Sequence, residues 1–208
     1  MAQNRMYCKK ESTQPMQNQA FKCVMDFTLR YNIDESHSLK HSMEVKRFAE
    51  NIYESELAAN PQLERQKSII MASAILHDMC DHKYVSDEAV AIAEMREYMK
   101  EFFTDADFDV VVSIITTMSY SKVKKKGYPD LGEYQLAYHI VREADLLAAY
   151  DIDRCIIYGM AVDKMTYTTA VERATVLFAD RVIKYRDDGL FLTAWSKAKS
   201  LELHNLTA

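Results

Sequence analysis

The chain reads as an all-α protein with one helical core and additional flanking helices. Three observations carry that reading. Its 208 residues include only four glycines and three prolines, whereas an all-β fold needs many tight turns, which consume both. Ala, Met, Leu, Glu and Lys, all good helix formers, are abundant. Apolar residues recur at three- and four-residue spacing along most of the chain. The length favours a single domain over 1–208, with the core at about 33–155 and C-terminal helices over 156–208.

A first helix is expected from Gln14 to Tyr31, with Phe21, Val24, Met25, Thr28 and Leu29 on one stripe. Asp34 or Ser36 can cap a second helix, which carries Leu39, Met43, Val45, Phe48, Ala49, Ile52 and Tyr53 and stops at Asn60-Pro61. A third, from Leu63 to Cys80, is apolar on most sides near Ile69–Leu76, as a central helix would be. Ser86 with Asp87 and Glu88 marks a helix start, since carboxylates suit the positive end of the dipole. Thr104 and Asp107 fit a capping box ahead of Phe108, Val111, Val112 and Ile115. Ser121–Asp130 (SKVKKKGYPD) reads as one long basic loop. Helices follow over Leu131–Tyr150 and Asp153–Tyr185, the latter interrupted near Gly159, and Gly189 precedes a last helix through Leu203.

The formal charge of −5 excludes a binder of duplex nucleic acid driven by bulk electrostatics, which needs excess Lys and Arg. Cys8, Cys23, Cys80 and Cys155 are irregularly spaced and form no zinc-ribbon pattern. Met1–Ser12 is polar, without the apolar run of a secretory leader, and no stretch approaches 18 apolar residues. A cytoplasmic protein with reduced thiols and no membrane partner is the expectation.

Chemistry concentrates at three places. His37 and His41 stand four apart, one turn along a predicted helix face, where either or both can reach a metal or simply meet solvent. His77-Asp78 ends an almost wholly apolar run (SIIMASAILHD), where burial is costly unless a cation or water partners each side chain. Asp145 lies among Ala144, Leu146 and Leu147 and is open to a metal or to an ion pair with Arg142 or Arg154. Two histidines and two aspartates from separate helices make a mixed N/O donor set. Such a set suits one Mn²⁺, Fe²⁺, Co²⁺, Ni²⁺ or Mg²⁺ ion better than a closed structural zinc site.

The order His41 (HSMEVKRFAENI), His77-Asp78 (AILHDMCDHK) and Asp145 (VREADLLAAYD) resembles the HD-domain superfamily of metal-dependent phosphohydrolases. Val45 and Ala49 match the family's spacing after its first histidine, HDMCDHK resembles its HDxxDxK variant, and ADLL its ADxL motif. The likeness spans about residues 33–155. Leu146 departs from the arginine frequent there, and AAYDIDR replaces the family's glycine-rich stretch. The HDxxDxK branch includes enzymes that act on nucleoside triphosphates.

The resemblance implies His41, His77, Asp78 and Asp145 as metal ligands. It implies hydrolysis of a small phosphorylated substrate, a nucleotide or related phosphate ester. A 5′-nucleotidase-like phosphomonoesterase and a non-catalytic nucleotide-binding regulator are the alternatives, and a homodimer is left open. Asp78 is expected to steer a water. Asp81, three residues on, can act as base or acid, or pair with Lys83. Lys83, Lys122, Lys124, Lys125, Lys126, His37 and Arg142 are candidate substrate contacts, since cationic side chains bind phosphate. Ser119, Tyr120 and Ser121 can hydrogen-bond a ligand, His139 reads as structural, and His82 as pointing away.

Overall fold

A computed structural model describes residues 13–207. The polar N-terminal stretch with Cys8, expected to carry no secretory leader, lies outside the described residues. Within them every regular element is helical. No helix among them is long and apolar enough to cross a membrane.

Helix α1 (Gln14–Arg30) starts with Pro15 in its first turn, where a missing N–H costs nothing. It buries Met16, Ala20, Cys23, Val24 and Phe27. That stripe is rotated from the expected one, so Met25 and Leu29 face outward. The steps 16, 20, 23, 27 follow one helix face more closely than the run beginning at Phe21.

Asp34 does cap, but it caps a separate 3-10 turn, Glu35–His37, by accepting the Ser36 N–H. Helix α2 (Leu39–Leu57) begins after it, so His37 and His41 do not share a helix. Helix α3 (Leu63–Leu76) is buried at every position from Ile69 to Leu76 and packs against α1 and α2. It ends four residues earlier than expected. Asp81 Oδ1 takes the Lys83 N–H at 3.0 Å, the local carboxylate-to-backbone bond that competes with helix continuation. The segment 77–81 therefore turns, and it lifts His77-Asp78 off the end of α3.

Helix α4 (Glu88–Met99) is capped by Asp87, which accepts from Ala89 and Val90 N–H. Helix α5 (Asp105–Thr117) starts at Thr104, whose hydroxyl accepts the Asp107 N–H at 3.2 Å. The expected basic loop is half helix, α6 (Tyr120–Lys126). Its lysines are good helix formers and crowd the last turn, where the dipole favours cations. Val123 anchors it, and Gly127 at φ 75° ends it.

Helix α7 (Gln135–Ala148) lies against α2 and α3. Helices α8 (Ile152–Ala161) and α9 (Tyr167–Leu177) pack on each other. The break falls at 162–166 instead of at Gly159. A Cβ on Gly159 would lie 3.2 Å from the Ala170 Cβ, so this glycine serves the α8–α9 crossing. A π-helical turn (Phe178–Val182) and a 3-10 turn (Ile183–Tyr185) extend α9. Gly189, at φ 65°, precedes α10 (Ala194–Thr207).

Candidate metal centre

Three segments of the core converge on one point. The first turn of α2 supplies His41, the bend after α3 supplies His77 and Asp78, and α7 supplies Asp145. Donor atoms of His41, His77 and Asp145 all lie within 4.8 Å of one another. Asp78 joins them: its Oδ2 is 3.2 Å from His77 Nε2 and 3.4 Å from His41 Nε2. The two imidazoles are 1% and 2% exposed, against 15% for Asp78 and 28% for Asp145. The centre thus opens on its carboxylate side. Asp145 pairs with neither arginine weighed for it: Arg142 bonds Glu143 and the Leu190 carbonyl, and Arg154 donates to the Ser36 carbonyl.

The donor chemistry fits a cation. His77 Nδ1 lies 3.0 Å from the Ala74 carbonyl. Donation there fixes the tautomer and leaves Nε2 with its lone pair toward the centre, the usual arrangement of a ligating histidine. His41 Nε2 stands 3.0 Å away. Asp78 Oδ2 is buried and accepts no hydrogen bond. Lone pairs facing one another in a site this dry require a positive charge between them. Without a metal that charge is a proton. Burial pushes His77 down, but Asp78 and then Asp145 outweigh it and raise its pKa to about 9. Burial likewise opposes ionisation of Asp78 and Asp145, yet the histidines hold both carboxyls below their usual range.

A pH prediction follows from these directions. The fold favours protonated His77, so its contribution to apoprotein stability is complete below 6.5 and is lost as pH climbs toward 9. The two carboxylates act oppositely: their contribution is present above 3.8 and disappears in more acidic solution. A divalent ion displaces the His77 proton. The rise in melting temperature on adding Mn²⁺ is therefore expected to be larger near pH 8.5 than near pH 6. A shift independent of pH would contradict this electrostatic account.

Beside the centre lies a network that no sequence spacing announced. Tyr84 donates its hydroxyl proton to Asp34 and sits 2.9 Å from His37 Nδ1. Having given away its only proton, the Tyr84 oxygen can only accept, which places a hydrogen on His37 Nδ1 and frees Nε2. Burial, then the bond to Asp34, pushes Tyr84 far up, so it keeps that proton. The His37 ring is 6.2 Å from that of His41 and 5.6 Å from that of Tyr158. Lys83 lies over Tyr158 at 5.7 Å.

The other candidates divide. Asp81 pairs with Lys83, Oδ2 to Nζ at 3.1 Å, and its Oδ1 meets the Lys83 N–H and His82. Both oxygens are engaged, so Asp81 positions Lys83 instead of standing free as a base. The His82 ring is exposed. Lys122 caps α5 by donating to the Thr116 carbonyl at 2.7 Å. Lys124 lies by the Tyr120 hydroxyl at 3.3 Å. Arg142, expected at a substrate, is buried in the core. His139 packs on Tyr128 and Tyr138. Burial, then Arg142, lowers its pKa to about 4.

No protein-family model matches this chain, and no curated protein does. Among solved structures it is similar to a protein from Lactobacillus plantarum whose crystal structure was a Northeast Structural Genomics target. Identity is 21% and the TM-score 0.68, over 94% of this chain and 91% of that one. The likeness shows that both chains share an all-helical fold.

Proposed function

We propose that this protein is a phosphohydrolase of the HD-domain type, dependent on one divalent cation and acting on a nucleotide or a related small phosphate ester. One observation carries the reading. His41, His77, Asp78 and Asp145, separated by up to about a hundred residues, come together at one point with two nitrogen and two carboxylate donors. Mn²⁺, Fe²⁺, Co²⁺, Ni²⁺ and Mg²⁺ are the ions such a set serves. When bound, the ion acidifies water and neutralises charge on a phosphoryl oxygen.

The chain's own groups do the rest. Lys83 is partly exposed beside the centre. Burial opposes its charge, but Asp81 and then Asp78 raise its pKa, so it remains an ammonium. It receives a phosphate oxygen while Asp81 holds its ammonium on one side and accepts its backbone N–H. Asp78 and Asp145, on the open side, orient the attacking water. His37 Nε2, left as an acceptor by the Nδ1–H, accepts a hydrogen bond from water or a substrate hydroxyl at the mouth.

The test is a metal screen. The purified protein is stripped, loaded with Mn²⁺, Mg²⁺, Co²⁺ or Ni²⁺, and offered nucleoside mono- and triphosphates while phosphate and pyrophosphate are counted. Turnover that requires the ion is expected. Lys83→Ala should lower kcat/KM roughly 10–100-fold, the worth of a charge-assisted hydrogen bond. No turnover with any ion and any substrate would overturn hydrolysis and leave a metal-binding protein.

A further inference from the structure

Tyr120 is the hub of a cluster that the metal centre does not use. It opens α6, and its ring centroid lies 5.2 Å from that of Tyr185, which is 1% exposed. Two cations converge on it. The Arg181 guanidinium stands over the ring, 4.4 Å from the centroid. Lys124 Nζ is 5.6 Å from the same centroid but 3.3 Å from the hydroxyl oxygen. The ammonium therefore sits at the hydroxyl end of the ring, beside the face that Arg181 covers.

Each cation is held in place and neither is neutralised. Arg181 belongs to the π-helical turn Phe178–Val182, a rare conformation that recurs at functional sites. It donates its Nε–H to the Tyr185 hydroxyl at 3.0 Å, which fixes the plane of the guanidinium. Its two terminal nitrogens have no hydrogen-bond or ion-pair partner among the described residues. The neighbouring carboxylate, Asp180, pairs with Lys184 at 3.5 Å instead. Lys124 is exposed and forms no ion pair among the described residues. The Tyr120 hydroxyl accepts from Lys124, so its own proton remains to be given. Like charges this close repel, and a half-buried arginine without a counter-charge is costly. Lys122, Lys125 and Lys126 share α6, which carries no acid, so an approaching anion meets only positive charge from that helix.

We propose that Arg181, Lys124 and the Tyr120 hydroxyl form an anion site for a phosphoryl group, separate from the four candidate metal ligands. Donors from three side chains match the free oxygens of a phosphate, whereas a planar carboxylate offers two, and a dianion balances two cations. Tyr120 and Lys124 line an open cavity of about 420 Å³, which gives the anion access. Asp188 lines it too, is exposed, pairs with neither cation among the described residues, and works against the anion. The phosphoryl group has two sources, a free phosphate or the outer phosphate of a nucleotide seated at the metal centre. Only the second rests on the phosphohydrolase reading.

The probe is inorganic phosphate, titrated calorimetrically into the metal-stripped full chain at low ionic strength. Binding is expected, without competition from acetate, and Arg181→Ala should weaken it roughly tenfold or more, the worth of a charge-assisted hydrogen bond. Arg181→Lys keeps the charge and loses the fork, so it should weaken binding less. It also serves as the variant if circular dichroism shows that Arg181→Ala does not fold. Asp188→Asn, at an exposed position, should tighten binding. No phosphate binding, binding undiminished in both arginine variants, or a site lost in Lys83→Ala and kept in Arg181→Ala overturns the proposal. Turnover by the Mn²⁺-loaded protein then assigns the source. An outer phosphate in the site makes Arg181→Ala raise KM more for a nucleoside triphosphate than for a monophosphate, and a free phosphate leaves the two changed alike. Absence of turnover would sink the phosphohydrolase reading and leave the phosphate titration standing.

Discussion

Asp78→Ala is expected to release the cation and to lower any metal-dependent turnover by roughly 10³-fold or more, about 4 kcal/mol of barrier. Among the described residues, Asp78 is the one acid whose oxygen stands within 3.4 Å of both imidazoles. Its removal leaves His41 and His77 without the nearer carboxylate and breaks the four-donor set. The side chain is polar and at the open face, with no apolar packing to lose, so the helical content should not change. The apoprotein supplies an independent signature. Asp78 is the foremost group raising His77, so the His77 titration, followed by NMR, should move down from about 9 in the variant. Metal content by mass spectrometry and the His77 titration together separate a lost ligand from a lost fold. Full occupancy in Asp78→Ala would remove Asp78 from the centre.

Much of this centre was legible in the sequence, because its ligands come with local context. His77-Asp78 terminates an apolar run, and Asp145 interrupts another, so each signals a buried polar group that needs a partner. His41 needed more: only its spacing to Val45 and Ala49 distinguished it from His37, and the fold separates the two by starting α2 at Leu39. The support for His37 was not legible. Asp34 and Tyr84 are 50 residues apart, and a tyrosine among 13 carries no mark of its hydrogen bonds. The errors in the helices have local causes. SKVKKKGYPD looked like a loop because Gly127 and Pro129 dominated it, whereas buried Val123 and a lysine-rich last turn make half of it helical. Gly159 looked like a break, yet it is the point where α9 approaches α8 too closely for a larger side chain. Such packing needs are set by a partner element distant in sequence.

Arg142 shows the same limit and leads to the second large effect. A cation three residues before a metal ligand suggested a substrate contact, but its role is in the core. Glu143, fully buried, accepts from Arg142 at 3.2 Å, from the Leu192 and Thr193 N–H groups at 2.9 and 3.1 Å, and from the Thr193 hydroxyl at 2.8 Å. Four donors thus satisfy one carboxylate and tie the entry of α10 to α7. Glu143→Ala strands a buried guanidinium and two backbone donors at once. Removing one member of a buried pair costs about 3–5 kcal/mol, a large share of the roughly 5–15 kcal/mol that holds a typical domain. Urea unfolding should show that loss as a lower midpoint. Glu143→Gln retains one acceptor oxygen and the side chain's volume, so its cost should be smaller but real, since the charge opposing Arg142 is gone. A cost below about 1 kcal/mol for the alanine variant would mean that water reaches Arg142.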